Sequence, residues 1–167
     1  MKSIYDSGGE LAWIPSSTLR RDCDLVAEGE TFGQLRWQSA FRATAIAACT
    51  EATWQFQLEG FLFRQWVTIQ RYGDLKPEAV FQAYPSFNGV LEFRDGRAFH
   101  FDSNFWLTKW IWCDSEGLER IRMDRHLTLR TEGSLHLPAD SLTLTELPLL
   151  TLLGWYLIQI VTDLRLR

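Results

Sequence analysis

The feature that most constrains this chain is a two-residue alternation of apolar and polar side chains that extends over residues 19–144. Trp54, Phe56 and Leu58, for example, alternate with glutamine and glutamate. Because successive side chains of a strand point to opposite faces, this period is typical of strands with one buried and one solvated face. The runs are separated by short gaps that hold Gly, Asp, Asn, Ser or Pro, which favours hairpins over crossover helices. The sequence therefore predicts a mainly β, antiparallel structure.

The turn of one predicted hairpin can be assigned from its side-chain faces. A two-residue loop at residues 95–96 would place Phe99 on the face opposite Leu91 and expose it, whereas a three-residue loop at residues 94–96 places both on one face. The three-residue loop is a type I turn followed by a left-handed residue. We therefore expect a positive φ at Gly96.

After residue 144 the pattern becomes that of one helix, with Thr145 as the predicted N-cap and Glu146 and Pro148 in the first turn. The segment 146–163 is apolar almost all round, because Trp155 interrupts the arc that holds its few polar side chains. A helix without a polar face is normally buried on all sides. In a chain of antiparallel strands, the interior of a barrel is the place that can surround it.

The sequence thus predicts an antiparallel, closed β-barrel of about twelve strands that encloses a hydrophobic C-terminal α-helix. We expect a single domain over residues 1–167, because a chain of 167 residues with 46% apolar residues should bury roughly 70% of its unfolded surface. Within it, residues 1–18 form an N-terminal segment that packs on the barrel, residues 19–145 form the barrel, and residues 146–163 form the central helix.

Charge and cysteine content narrow the class of protein. A formal charge of -4 argues against a nucleic-acid partner, which requires an excess of Lys and Arg. Three cysteines without a CxxC motif are expected to be reduced and mostly buried.

The N-terminus lacks the apolar stretch of a secretory signal. The segment 147–161 would span only about 22 Å as a helix, less than the roughly 30 Å of a bilayer core. We expect a cytoplasmic protein, with peripheral membrane association as an option and a tail-anchored protein as an alternative.

Three segments resemble the tubby-like superfamily, which includes the LURP-one-related proteins and the phospholipid scramblases. They are NGVLEFRDGRAFHF at residues 88–101, FWLTKWIWCDSEG at 105–117 and ELPLLTLLGWYLIQI at 146–160. The resemblance implies about twelve strands closed around the C-terminal helix, as the side-chain pattern also predicts. It implies little about function, because the basic phosphoinositide site of tubby domains and the calcium and lipid-modified cysteine segments of scramblases have no counterpart here. No functional residue is carried over, and a shared fold alone does not establish an activity.

The residue types that carry catalysis are not arranged in a known pattern. His100 and Asp102 could form half of a metal site or an acid–base pair, but the predicted register places them on the outer, solvated face of a strand. Gly8 and Gly9 precede any strand and lack the lysine of a phosphate-binding loop. The sequence therefore predicts no catalytic, metal or cofactor-binding residue.

Tryptophans in the run 105–113 form the first candidate interaction site. Trp106, Trp110 and Trp112 share one face of this predicted strand, and the other face is also apolar. Because a barrel strand has one inner face, we expect the outer one to be covered. The N-terminal residues 1–14 are the expected cover, and a second copy of the chain in a homodimer or a lipid surface is the alternative.

A basic stripe forms the second candidate site. Arg120, Arg122, His126 and Arg130 alternate with apolar residues and are predicted to share an outer face. Such a stripe can bind an anionic lipid headgroup or an acidic partner. The alternative is a solvated strand face that nearby carboxylates neutralise.

These observations favour a noncatalytic binding or scaffold module that acts through its outer surface on an anionic membrane surface or a protein partner. A helix in the lumen leaves no room for an internal ligand. A β-barrel enzyme or small-ligand carrier with a site at the barrel rim is a second hypothesis, and it requires a deep pocket with convergent polar groups.

Overall fold

The protein is described by a computed structural model that covers residues 1–17, 21–39, 43–61, 64–85, 88–127 and 131–165, without the side chains of residues 131, 164 and 165. Twelve strands and one α-helix make up the fold, with short 3-10 turns at Ile4–Asp6 and Ala139–Thr143. The strands are β1 (Glu10–Pro15), β2 (Cys23–Ala27), β3 (Glu30–Ser39), β4 (Thr44–Cys49), β5 (Thr53–Phe61), β6 (Arg64–Arg71), β7 (Ala79–Ala83), β8 (Gly89–Phe93), β9 (Ala98–Ser103), β10 (Lys109–Asp114), β11 (Glu119–Leu127) and β12 (Thr131–His136). The helix is α1 (Leu147–Arg165).

The strands form a closed barrel in which each strand pairs antiparallel with its sequence neighbour, and β1 pairs with β12 to complete the ring. The predicted fold class is therefore confirmed. The position predicted for the N-terminal segment is wrong, because β1 is itself a wall of the barrel, with Leu11 and Trp13 buried inside. The barrel thus begins at Glu10 and not at residue 19.

The hairpin between β8 and β9 has the predicted three-residue loop. Leu91 pairs with Phe99, and the amide of Phe93 donates to the carbonyl of Arg97 over 2.9 Å. Gly96 has a φ of 89°, as the left-handed position of this turn requires. The need to bury Leu91 and Phe99 on one face thus selects the loop length.

Helix α1 fills the lumen of the barrel. Every residue from Glu146 to Thr162 is buried, which confirms the inference drawn from the missing polar face. The helix begins at Leu147, so that Glu146 and not Thr145 lies directly before it, and the carbonyl of Glu146 accepts the amide of Leu150. The carboxylate of Glu146 forms an ion pair with Arg97 beside the first turn of the helix.

Aromatic rings from the helix and the barrel wall pack together in the core. Trp155 stacks on Trp13 with 5.5 Å between ring centroids and 2° between ring planes. Tyr156 lies against Trp37 at 5.2 Å and against Phe56 at 5.3 Å. Such pairs stabilise the fold beyond the burial of their area, by about 0.5–1.5 kcal/mol each.

The direction of the helix distinguishes the two ends of the barrel: α1 begins at the helix-entry end and finishes at the helix-exit end. At the helix-entry end, Arg97 pairs with Glu146, and the hydroxyl of Tyr5 donates to the carbonyl of Leu144 over 3.0 Å. At the helix-exit end, Arg21 pairs with Asp163. The odd-numbered strands β1, β3, β5, β7, β9 and β11 all run toward the helix-exit end, so the connections that follow them lie there.

Candidate functional site

The lumen does not offer a binding site, because the side chains of α1 occupy it. In the described part of this helix, eleven apolar side chains are buried against the inner faces of the strands. Surface that is open to a ligand therefore lies on the outer wall and at the two ends of the barrel.

The predicted chemistry-bearing residues lie apart on the surface. His100 and Asp102 are both exposed on the outer face of β9, as the register predicted. Within the described ranges, no group of three or more His, Cys, Asp or Glu side chains is placed to hold a metal ion.

The three cysteines are free thiols, and Cys23 and Cys49 are buried. Burial raises the pKa of the Cys49 thiol to about 12, and burial also raises the pKa of Cys23. Since the thiolate is the nucleophile, both thiols are unreactive in the folded protein at neutral pH. They contribute to packing and not to a covalent mechanism.

The basic stripe of β11 is on the outer face, but its arginines are already paired. Arg120 binds Asp114 at 2.8 Å and Asp140 at 3.4 Å, and Arg122 binds Glu119 at 3.0 Å. His126 is exposed at the far end of the strand, and Arg130 lies outside the described residues. Hydrogen bonding to Glu119 raises the pKa of Arg122. A ligand for this stripe would have to displace these carboxylates.

The predicted tryptophan interface is not formed. Trp110 and Trp112 point into the lumen and are fully buried, whereas Trp106 precedes the strand and is 75% exposed. The three residues separate because β10 begins only at Lys109, so residues 105–108 are not part of the alternating strand. The N-terminal segment does not cover the outer face of β10, since it forms β1 elsewhere in the ring.

Exposed apolar side chains are more numerous at the helix-exit end than at the helix-entry end. Of the ten large apolar side chains that are exposed in the described part of the chain, six lie near this end. These six are Ile14, Phe61, Tyr84, Phe105, Trp106 and Leu127. Of these six, the sequence pattern predicts an interaction role for Trp106 alone. The other five are apolar residues near turns, which is a weak signal because single exposed apolar residues are common.

Cations without partners accompany these apolar side chains. Arg64 and Lys109 begin strands at the helix-exit end, and Arg125 lies near the end of β11. Among the residues that the structure describes, none forms an ion pair with any of these three. Lys76 and Arg94, at the helix-entry end, are also unpaired within the same residues.

The outer wall has a shallow depression of about 300 Å³ beside this end, lined by Arg64, Trp66, Val80 and Gln82. The indole of Trp66 donates to the carboxylate of Glu59 over 2.7 Å. The indole also lies against Gly60, where a Cβ would be 2.9 Å from the ring. This depression extends the exposed region of the helix-exit end down the outside of the barrel.

Together, these features define a closed twelve-stranded antiparallel barrel with a central helix, whose helix-exit end carries six exposed apolar side chains and three cations without an ion pair in the described residues. Comparison with protein-family models, with curated proteins and with solved structures found no match. In the described residues, the helix lacks the combination of length and hydropathy that a bilayer span requires.

Proposed function

We propose that this protein is a noncatalytic, tubby-like or LURP-one-like module that binds an anionic membrane surface through its helix-exit end. The observation that carries the proposal is that, in the described part of the chain, six of the ten exposed large apolar side chains and three cations without an ion pair lie at this end. Apolar side chains and cations at one surface are the combination that interfacial membrane binding uses.

The cations supply the attraction to anionic lipid. A Lys or Arg near such a surface contributes about 1 kcal/mol, so Arg64, Lys109 and Arg125 together contribute about 3 kcal/mol. This attraction weakens with ionic strength, because the Debye length falls to about 8 Å at physiological salt. The apolar side chains add a contribution that salt does not screen.

The filled lumen counts against an internal ligand site and against a tail anchor. A ligand carrier or enzyme with an internal site would need the space that α1 occupies, so such a protein would have to use a site at the barrel rim. A tail-anchored protein would need α1 to leave the barrel, which would expose its eleven buried apolar side chains and the inner faces of the strands. Arg120 and Arg122 are less suited to lipid than Arg64, since their carboxylate partners already neutralise them.

Vesicle flotation of the purified protein tests the proposal. We expect binding to vesicles made of equal parts phosphatidylcholine and phosphatidylglycerol, weaker binding at about 0.15 M salt than at low salt, and little binding to phosphatidylcholine alone. Replacing Arg64, Lys109 and Arg125 with glutamine should weaken binding about a hundredfold.

The matched control is the Lys76→Gln/Arg94→Gln variant, which removes unpaired cations from the helix-entry end and should bind as the wild type does. A folded wild-type protein that binds neither vesicle would reject the membrane proposal and leave a protein partner as the function to pursue.

A further inference from the structure

A tight turn at the helix-exit end presents two aromatic rings to solvent. In this aromatic turn, residues 104–107, the amide of Leu107 donates to the carbonyl of Asn104 over 3.1 Å. Phe105 and Trp106 occupy the two central positions and are 86% and 75% exposed. Gly, Pro, Asn, Asp and Ser normally occupy central turn positions. Two large aromatic residues at the tip of such a turn therefore need an explanation outside local backbone preference.

Hydrogen bonds from Asn104 hold the aromatic turn in one conformation. The Asn104 side-chain oxygen accepts the amides of Thr108 over 2.9 Å and of Lys109 over 3.1 Å, and its amide nitrogen donates to the Thr108 hydroxyl over 3.0 Å. The amide of Arg125 donates to the carbonyl of Thr108 over 2.8 Å. The turn is thus bonded on both sides, so little conformational entropy remains to be lost when its tip binds a partner.

Leu107 anchors the aromatic turn to the core. Its side chain is only 4% exposed, although its φ of 51° lies in the left-handed region that disfavours a leucine. Backbone conformations of this kind are strained and persist where the surrounding structure requires them. In this conformation, the side chain of Leu107 is buried and those of Phe105 and Trp106 point to solvent. The two rings pack edge to face, with centroids 5.1 Å apart.

We propose that the Phe105–Trp106 pair is a preformed wedge that inserts into the headgroup region of the bilayer. The inference rests on the proposed membrane function and assigns the side chains that penetrate. Trp and Phe favour this region, since tryptophan presents an apolar body with a polar N–H. The unpaired cations Lys109 and Arg125 lie directly beside the turn, where phosphates would meet them.

The geometry favours a bilayer over a protein pocket. The rings project from a turn at the end of a barrel. Further exposed apolar side chains lie on either side of it at the same end, Leu127 as the last residue of β11 and Tyr84 directly after β7. A bilayer is deformable and can accept all of these side chains together, whereas a protein partner would need a separate pocket for each side chain.

The Phe105→Ser/Trp106→Ser variant tests the wedge in the full-length protein. Because both side chains are exposed, we expect an unchanged Tm and unchanged far-UV circular dichroism. Each ring that the bilayer buries should contribute about tenfold or more to partition. The double variant should therefore bind the mixed vesicles at least about a hundredfold more weakly. The matched control is Tyr72→Ser/Leu75→Ser, which removes side chains that are 69% and 97% exposed at the helix-entry end. It should bind as the wild type does.

Trp106→Phe gives a second, spectroscopic measurement. The wild-type protein should show quenching of part of its tryptophan fluorescence by lipids brominated on their acyl chains, and Trp106→Phe should abolish this fraction while it retains binding. Wild-type binding with equal binding by Phe105→Ser/Trp106→Ser would overturn the wedge but keep the membrane function. Loss of wild-type binding to every vesicle would overturn both.

Discussion

At the scale of single residues, the barrel accommodates its helix by omitting side chains where the two approach each other. A Cβ at Gly133 would lie 2.4 Å from the ring of Trp155 and 2.5 Å from the carbonyl oxygen of Asp124. Trp155 cannot move away freely, because its other ring contact is the stack on Trp13. One hydrogen in place of a methyl group therefore fixes the position of the largest side chain of the helix.

We expect Gly133→Ala to destabilise the protein by about 2 kcal/mol or more, although alanine is usually the better strand residue. The reason is overpacking against a backbone oxygen and a confined indole. Urea unfolding measures the change. Ser134→Ala, on the outer face of the same strand, should change the free energy of unfolding by less than about 0.5 kcal/mol. An unchanged midpoint for Gly133→Ala would mean that Trp155 has an alternative position.

At the scale of the elements, a feature was predictable from the sequence where the contacts that determine it lie close together along the chain. The loop at residues 94–96 was predictable because both strands of the hairpin adjoin it and must agree on one buried face. Strand β1 was not predictable, because its alternating segment is short and its partner strand β12 lies near the opposite end of the sequence. The prediction of a strand over the aromatic turn is wrong, although its apolar residues continue the alternating pattern of β10. The hydrogen bonds of Asn104 and the positive φ of Leu107 interrupt this pattern, so that β10 begins only after the turn.

The position of α1 in the lumen depends on a polar contact that its sequence pattern did not predict. The Gln159 side chain accepts the indole N–H of Trp37 over 2.7 Å and donates to the carbonyl of Arg21 over 3.1 Å. These bonds connect the helix to two segments of the wall at the helix-exit end. They satisfy polar groups that would otherwise be buried without partners.

Gln159→Leu should cost about 2 kcal/mol, because it leaves the Trp37 N–H and the Arg21 carbonyl unpaired. Chemical denaturation checks this. The loss in the Trp37→Phe/Gln159→Leu double variant should be smaller than the sum of the two single losses, since one of the orphaned groups is then absent. Thr162→Val is the control, because the Thr162 hydroxyl donates to the carbonyl of Ile158 within α1. Equal effects of Gln159→Leu and Thr162→Val would show that the contact with the wall contributes little.

At the scale of the whole molecule, the barrel and its helix form one cooperative unit. The eleven buried apolar side chains of α1 each contribute about 1.5–3 kcal/mol by burial, or about 17–33 kcal/mol in total. A domain is stable by only about 5–15 kcal/mol. The strands therefore cannot keep their fold without the helix, and the hydrophobic core belongs to neither part alone.

A chain that ends before Leu147 should lose cooperative thermal unfolding and aggregate. Differential scanning calorimetry and size-exclusion chromatography measure both properties. A chain that ends at Asp163, which keeps the ion pair with Arg21, is the control and should unfold cooperatively. A soluble, cooperative barrel without α1 would contradict this account of the core.

The order of the elements along the chain also has a consequence for synthesis. Since α1 follows all twelve strands, a ribosome releases every wall of the barrel before it releases the segment that covers their inner faces. The strands cannot reach their final packing while the helix is still in the exit tunnel. Folding of this protein must therefore wait until translation has passed α1, and until then the nascent chain exposes apolar strand faces that favour aggregation.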